Sequence, residues 1–277
     1  MLGMWDRDEE KRLGDHYKEL EFAEISSENE TLYPYEAFVI RVDGRAFHTF
    51  TRGMTKPFST VLDECRNAAA EAVLKSLKPT FAYHQSDEIS FVWDVVKEPA
   101  TEHPFGGRAT KLLTLVASLT STAFLKKYIE LTGDFSKLPH FDARIAGRFS
   151  SQRTALEDAI RCVQWRENDA LRNSMQMYGQ SIFSHKELNK KSVGDIYDMA
   201  KEKGFDWFEA APEFRRGTYL TIGTVQVPIK EEQRLLIPEK HRPEAGATVT
   251  RSAMIKHFFE DWDIPTRVRA LAEEFDV

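Results

Sequence analysis

The first half of the chain alternates short apolar runs with one-sided helical patterns. Residues 36–43 (EAFVIRVD) form a nearly continuous β-branched and aromatic run that ends at Gly44, which predicts a buried strand followed by a sharp turn. Apolar residues then recur at helical spacing from Thr60 until Pro79 closes the pattern. These segments predict a strand, a turn and a first helix.

The next segments complete a regular order of elements. Residues 80–84 and 88–96 are two strand-like runs on either side of residues 85–87, which predicts a hairpin. Residues 108–129 are long and apolar on one side, and residues 141–147 (FDARIAG) predict a fourth strand. The order is therefore β-α-β-β-α-β, which is that of the ferredoxin-like unit.

This order brings distant acidic residues together. In the ferredoxin-like unit the first and third strands lie side by side and antiparallel, so the end of one meets the start of the other. Asp43 closes the first strand, while Asp87 and Glu88 open the third. Magnesium is usually held by one or two carboxylates together with substrate phosphates. The convergent carboxylates thus predict a magnesium site, where two metal ions would activate a hydroxyl and stabilise a leaving pyrophosphate.

The second half of the chain is more helical. Residues 154–178 carry a buried stripe, and Thr154 with Glu157 suggests a capping box at its start. Residues 184–207 predict two short helices, and residues 214–229 predict a returning hairpin.

Together the patterns predict an α+β fold, a ferredoxin-like βαββαβ unit of the polymerase palm type with additional helices and a C-terminal hairpin. Residues 1–150 would form the palm-like catalytic domain, and residues 151–277 a helical and hairpin extension. We expect the extension to pack on the palm as one structural unit. No element is predicted for the C-terminal tail.

Composition narrows the class of protein. The chain is 42% hydrophobic with a formal charge of -6, which predicts a globular protein without the broad basic face of a nonspecific nucleic-acid coat. No apolar run reaches the roughly 18 residues of a membrane span, so we expect a cytoplasmic protein without a membrane partner. The cysteines Cys65 and Cys162 fall in helical patterns and are expected in the core, without zinc or a disulfide.

Any contact with RNA must then be local. The candidate basic clusters are Lys126/Lys127, Arg144/Arg148/Arg153, Lys186/Lys190/Lys191 and Arg215/Arg216. Each could instead be an ordinary solvated surface.

The sharpest motif is the string RVDGRAFH at residues 41–48. A strand delivers the Asp43 carboxylate into a turn at Gly44, and cationic and imidazole groups follow. Successive turn amides could form an anion nest, and His48 could add a hydrogen bond, which suits a triphosphate. The alternative is a surface turn with a capping aspartate, because Asp-Gly turns are common.

Six strings in order resemble the histidine-tRNA guanylyltransferase superfamily of 3′-to-5′ polymerases. They extend from about Phe38 to Leu220: RVDGRAFH, HQSDEISF, RATK from Arg108, FDARIAG, Trp165-Arg166 with Asp169, and RRGT from Arg215. The resemblance implies a polymerase-like palm that adds nucleotides to the 5′ end of tRNA. It also implies GTP or ATP as substrates and two Mg²⁺ ions as cofactors.

The resemblance assigns roles to individual residues. Asp43, the Gly44 carbonyl and Asp87 would bind metal, and Asp43, Asp87 and Glu88 would be catalytic. Nucleotide would be bound by Asp43, Gly44, Arg45, Ala46, Phe47, His48, Ser86, Asp87, Arg108, Lys111, Asp169 and Asn173. Three assignments have simpler alternatives: Glu88 could be an exposed strand residue, Lys111 a helix lysine with its stem on apolar surface, and Asp169 with Asn173 a water-facing pair.

The resemblance has one departure that bears on the reaction. Members that add guanosine opposite an A73 discriminator carry a His-Ile-Asn-Asn string, where this chain reads Leu171-Arg-Asn-Ser174 and keeps only Asn173. The interpretation is templated 3′-to-5′ nucleotide addition to truncated tRNA, with activation of the 5′ end by a nucleoside triphosphate. The resemblance also suggests a homotetramer.

Other functions stay open at this point. One alternative is a dedicated tRNA(His) guanylyltransferase that adds the extra 5′ guanosine, and another is a palm-domain nucleotide cyclase that needs no tRNA surface. An inactive RNA-binding module is disfavoured because Arg41 and Asp43 place charge where its stacking platform would sit.

Overall fold

A computed structural model describes residues 7–25, 31–97, 101–150, 154–259 and 264–272. Its strands are β1 (Ala37–Gly44), β2 (Phe81–Gln85), β3 (Glu88–Trp93), β4 (Phe141–Phe149), β5 (Thr218–Pro228) and β6 (Thr248–His257). Its α-helices are α1 (Arg7–Ile25), α2 (Phe47–Phe50), α3 (Thr60–Leu77), α4 (Ala109–Thr132), α5 (Ala155–Ile182), α6 (His185–Leu188), α7 (Val193–Glu202), α8 (Pro212–Arg216), α9 (Glu231–Leu235) and α10 (Ile264–Ala272). None of the helices so described is long and apolar enough to cross a membrane.

The strands form one antiparallel sheet in the order β4-β1-β3-β2-β5-β6. The first four positions are those of a ferredoxin-like unit whose crossing helices are α3 and α4, so the predicted palm-like fold is confirmed. Asp43 in β1 pairs directly with Glu88 in β3. The Gly44 amide donates to the Asp87 carbonyl over 3.0 Å. The predicted meeting of these strand ends is therefore present.

The two faces of β1 have different partners because side chains alternate along a strand. Phe38, Ile40 and Val42 belong to the core that includes α3 and α4. Val39 instead packs in a second core with Tyr17 of α1. Helix α5 contributes Ile160 and Val163 to that second core. Alternation from Val39 puts Arg41 and Asp43 on the same face, the one that α1 and α5 cover.

The predicted returning hairpin at residues 214–229 is wrong. Residues 218–228 form the single strand β5, whose outer partner β6 lies in the tail for which no element was predicted. Gly223, in the middle of the run, pairs with Ala253 inside the ladder instead of turning the chain. The hairpin is formed by β5 and β6 and is longer than the sequence indicated.

The long helix α5 and the two short helices α6 and α7 are present as predicted, but the capping box at Thr154 is wrong. The Thr154 hydroxyl donates to the Asp158 carboxylate over 3.0 Å and does not cap the helix backbone. Ser192 provides the capping box at the start of α7. Cys65 and Cys162 are buried, as predicted.

Candidate active site

The turn after β1 is shaped by an aromatic ring. A β-carbon on Gly44 would lie 2.3 Å from the ring of Phe47, so only glycine fits there. Phe47 is buried against Phe124 and Phe141, with ring centroids 5.6 and 5.1 Å away. The chain reverses through Ala46, which adopts a left-handed conformation with φ 55°. Gly44 therefore allows Phe47 to fold back under the strand end that carries Asp43.

The backbone amides of this turn are partly used within the protein. The Gly44 amide donates to the Asp87 carbonyl, and the Arg45 amide donates to the His140 carbonyl over 2.8 Å. The predicted anion nest therefore cannot include these two donors. In the part of the chain that the structure describes, the amides of residues 46–48 have no backbone acceptor.

The carboxylates at the strand ends influence each other. Asp43 is half-buried, and its pKa is raised to about 6 by burial and by the nearby carboxylates of Glu88 and Asp87. Arg41 and Arg144 oppose that rise. Burial also raises the pKa of Asp87, against a hydrogen bond of 3.1 Å from the Ser86 hydroxyl. Crowded, desolvated carboxylates of this kind favour a bound cation, because a cation restores their ionised form.

Glu88 is not the exposed strand residue that one alternative predicted, since only 7% of it is accessible. Its carboxylate lies 3.3 Å from Arg41 Nε and accepts from Arg166 Nε over 3.1 Å. The Gln85 amide donates to it over 2.7 Å. Arg41 is paired in turn with Glu21 of α1 at 2.8 Å. Glu88 is thus the centre of an ion-pair network, which favours a positioning role over direct contact with substrate.

A cavity of about 330 Å³ opens beside Asp87, within the range of small-molecule sites. Its polar lining includes His48, Ser86, Asp87 and Asn173 of α5. Its apolar lining includes Phe58, which stacks on Phe214 with ring centroids 5.0 Å apart. The cavity therefore combines the Asp87 carboxylate and other polar groups with a stacked aromatic pair.

Arg66 of α3 supports the turn between β2 and β3 and also lines the cavity. Its buried guanidinium donates to the Ser86 carbonyl over 2.9 Å and to His84 Nδ1 over 3.2 Å. Asp63 lies one helical turn earlier and accepts from the same guanidinium over 3.2 Å. The sequence analysis missed Arg66, although an arginine one turn after Leu62 on the apolar stripe is a usable signal.

The structure does not bring Arg108 and Lys111 to this cavity. The Leu32 amide donates to the Gly107 carbonyl over 2.8 Å, so α4 begins where β1 begins, whereas Asp43 lies where β1 ends. At about 3.3 Å per strand residue, these ends are about 20 Å apart. Arg108 donates to the Phe105 carbonyl, and Lys111 lies 4.6 Å from the Phe105 ring centroid. Arg108 and Lys111 are therefore not among the residues that line this cavity.

Asp169 is also outside the cavity. Its carboxylate accepts from Arg166 over 2.6 Å and pairs with Arg172. The prediction that Asp169 and Asn173 act together is therefore supported only for Asn173, which lines the cavity. A larger cavity of about 530 Å³ lies around Trp93 and Phe105, at the end of the sheet away from the carboxylates.

The carboxylate oxygens of Asp43 and Asp87, at the adjoining ends of the central strands, fit magnesium better than a softer metal. Over the described residues, no three His, Cys, Asp or Glu side chains form a preassembled metal site. Magnesium does not need one, because it is often bound through one or two carboxylates plus substrate phosphates. Asp43 and Asp87, with crowding that raises the pKa of both, provide such a pair.

Most of the predicted basic clusters are used inside the protein. Internal ion pairs join Lys127 to Glu130, Arg144 to Asp142, Arg148 to Glu36 and Arg216 to Glu167. Arg215 is buried, Arg153 lies outside the described residues, and Lys186, Lys190 and Lys191 remain exposed. Lys126 is also exposed, so an RNA surface must be sought elsewhere, at Lys126 or at the lysines of residues 186–191.

A ferredoxin-like palm with carboxylates at the adjoining ends of its central strands defines the class of palm-type nucleotidyltransferases. Comparison with known proteins agrees. The sequence profile of the tRNAHis guanylyltransferase family matches residues 16–147. A probable tRNA(His) guanylyltransferase of Drosophila melanogaster is 33% identical over 231 residues, covering 78% of this chain and 77% of that relative. The chain belongs to the tRNA(His) guanylyltransferase family.

Solved structures are similar over most of the chain. A bacterial tRNA(His) guanylyltransferase-like protein in complex with ATP has a TM-score of 0.63 at 27% identity, covering 76% of this chain and 86% of its own. Another bacterial structure of this kind, in complex with GTP, has a TM-score of 0.60 at 21% identity and covers 95% and 98%, respectively. The GTP complex supports the fold.

Proposed function

We propose that this chain adds nucleotides in the 3′-to-5′ direction to the 5′ end of truncated tRNA, reading the opposing strand as a template. The observation that carries the proposal is the pairing of Asp43 with Glu88 next to Asp87, which lines a cavity of about 330 Å³. An enzyme of the cytoplasm, assembled as a homotetramer, is the further expectation from the family resemblance.

The metal site would use hard oxygen ligands. Asp43, Asp87 and the Gly44 carbonyl would hold Mg²⁺, which supplies charge neutralisation and lowers the pKa of a bound hydroxyl. The raised pKa of Asp43 is consistent with this role, since a nearby cation would stabilise its ionised form.

The protein's own groups would position the nucleotide. The His48 imidazole and the amides of residues 46–48 would donate to phosphate oxygens, and His48 and Ser86 both line the cavity. Arg66 fixes the backbone of Ser86, and Arg166 with Arg41 fixes Glu88 opposite Asp43. Most of the catalytic effect would then come from positioning and charge, as in other phosphoryl transfers.

The family resemblance supplies the order of bond changes. A 5′-monophosphate end is first activated with ATP, releasing pyrophosphate, or the end arrives as a triphosphate. The 3′-hydroxyl of the incoming nucleotide then forms a bond to the 5′ phosphorus, and AMP or pyrophosphate leaves. No covalent enzyme intermediate is required.

The replaced string on α5 supports templating. Leu171 is buried in a core with Ile196 and Trp207, and the buried Ser174 hydroxyl donates to the Arg215 carbonyl over 3.0 Å. Of this stretch, only Asn173 and Ser174 line the cavity. Few protein groups are thus free to read a base, so a template strand would supply the selectivity.

A dedicated guanosine addition is the second candidate, because curated relatives carry the name tRNA(His) guanylyltransferase. One experiment separates the two. A 5′-truncated tRNA is incubated with each nucleoside triphosphate separately, and the base opposite the missing position is then changed. Templated addition predicts that the incorporated nucleotide follows the opposing base. Guanosine added whatever the opposing base would support the second candidate instead.

A further inference from the structure

The loop between α4 and β4, residues 133–140, exposes an apolar surface beside the candidate active site. Phe135 is 74% accessible and Leu138 is 60% accessible, and Leu131 at the end of α4 is also exposed. Large exposed apolar groups that lie together mark contact sites for partners. We call these three side chains, together with Arg45 and Arg52, the loop patch.

Hydrogen bonds place the loop against the turn that follows Asp43. Lys137 Nζ donates to the Phe50 carbonyl over 2.9 Å and to the Arg52 carbonyl over 3.1 Å. The Arg45 amide donates to the His140 carbonyl over 2.8 Å. Because Gly44 pairs with Phe141, the loop of residues 133–140 ends beside the end of β1 that carries Asp43.

The charge around the loop patch is positive in an otherwise acidic chain. Residues 45–56 contain Arg45, Arg52 and Lys56, together with His48, and no acidic residue, whereas the whole chain has a formal charge of -6. All four side chains are exposed. Among the residues the structure describes, the three Arg and Lys side chains form no ion pair, unlike Arg144, Arg148 and Arg216 of the predicted basic clusters.

The acidic residue of the loop is already occupied. The Asp134 carboxylate accepts from the Ser136 amide over 2.8 Å, from the Ser136 hydroxyl over 2.6 Å and from the Tyr128 hydroxyl over 3.0 Å. These contacts fix the backbone on both sides of Phe135. The ring is therefore presented on a defined turn, at low entropic cost to a ligand.

An exposed aromatic ring on a loop that is hydrogen-bonded to a basic turn is suited to unpaired nucleotides, which stack their bases on rings and place phosphates beside cations. We propose that the loop patch docks the single-stranded end of the RNA substrate, with a base stacked on Phe135 and phosphates beside Arg45 and Arg52. The choice of RNA rests on the proposed function. A second copy of this chain is the other possible occupant, and the test below distinguishes it.

The test is RNA binding without catalysis. A 5′-phosphorylated, single-stranded RNA oligonucleotide and a 5′-truncated tRNA, each labelled at the 3′ end, are titrated by fluorescence anisotropy in EDTA without nucleotide. Phe135→Ala should weaken binding by about 5- to 150-fold, the range for loss of one base stack, and Phe135→Trp should retain it. Phe205→Ala is the matched control because Phe205 is 48% accessible on a different loop. It should bind as the wild type does.

The electrostatic half of the proposal has its own measurement. Arg52→Gln should weaken binding of both RNAs and reduce the slope of log affinity against log salt concentration by about 0.7, the value for one phosphate contact on a single strand. Lys240→Gln is the matched control, since Lys240 is exposed near the tip of the β5–β6 hairpin. Its salt slope should equal that of the wild type.

Several results would overturn the docking site. Unchanged RNA binding by Phe135→Ala would do so, as would wild-type binding by Phe135→Leu, whose side chain cannot stack on a base. A smaller oligomer for Phe135→Ala in sedimentation would assign the loop patch to a contact with a second copy of the chain. Failure of the proposed reaction is distinguishable. Binding that depends on Phe135 without nucleotide addition would retain the docking site and reject the activity.

Discussion

Acidification is expected to destabilise this protein through His84, which is fully buried in β2. Its Nδ1 accepts from Arg66 Nε over 3.2 Å, and its Nε2 lies 2.8 Å from the Asn67 side-chain oxygen and donates to it. The neutral ring is therefore satisfied at both nitrogens. A proton added at Nδ1 would face the Arg66 guanidinium. Burial and Arg66 lower the pKa of His84 to about 3, although Asp63 opposes them.

The size of the effect follows from proton linkage. An unfolded histidine has a pKa of about 6.5, so below that pH the unfolded chain takes up a proton that folded His84 refuses until about pH 3. Stability is thus retained above pH 6.5 and is lost progressively as the pH falls towards 3. At pH 5, His84 alone lowers the free energy of unfolding by about 2 kcal/mol, because one pKa unit corresponds to about 1.4 kcal/mol.

Urea unfolding at pH 7.5 and 5.0, followed by tryptophan fluorescence, measures this loss. His84→Gln removes the titrating group, so its free energy of unfolding should fall by about 2 kcal/mol less than that of the wild type over this interval. Burial also lowers the pKa of His103, so His103→Gln should reduce the acid sensitivity as well, and comparison of the two variants separates the contributions of the two buried histidines. Equal acid sensitivity of His84→Gln and the wild type would refute the reasoning.

Further variants test the buried ion pairs and the carboxylates. Arg267→Met should lower the free energy of unfolding by roughly 3 kcal/mol in a urea titration, because buried Glu167 loses its partner at 2.7 Å and keeps only Arg216 at 3.0 Å. Arg267→Met with Glu167→Gln should recover part of the loss, and no recovery would argue against the pairing. Asp43→Ala and Asp87→Ala should each reduce addition to truncated tRNA by on the order of a thousandfold with an unchanged circular-dichroism melt, and near-normal magnesium-dependent activity in either would remove it from the metal site. Glu88→Gln should lower the free energy of unfolding by roughly 1–3 kcal/mol, because Arg41 and Arg166 each lose one carboxylate and keep only Glu21 and Asp169, respectively, and a wild-type urea midpoint would contradict the network.

The palm and its convergent carboxylates could be predicted because they depend on the order of the elements along the chain and on the spacing of the apolar residues within each element. Alternation marked the strands, and the antiparallel pairing of the first and third strands then required Asp43 to meet Glu88. The same topology could have shown that Lys111 lies far from Asp43. A helix that follows β3 must begin where β3 ends, which is the end of the sheet away from Asp43.

Other parts could not be predicted because their signal is weak in the sequence. Strand β6 (TVTRSAMIKH) has no buried residue, and its sequence lacks the apolar alternation that marks a half-buried strand. The pairing of Arg166 with Glu88 joins side chains 78 residues apart and has no local pattern at all. Such contacts are fixed by the packing of α5 on the sheet.

The ion pairs around Glu88 explain why the βαββαβ unit is insufficient to form the candidate site. Glu88 is a buried carboxylate, and burial of an unpaired charge would be costly. Its counter-charges are Arg41, which is held by Glu21 of α1, and Arg166 of α5. Both helices lie outside the βαββαβ unit. Their packing brings these counter-charges to Glu88, and Glu88 in turn contributes to the raised pKa of Asp43. The electrostatic state of the carboxylates is therefore set by helices from both ends of the sequence, even though the strand order alone determines their positions.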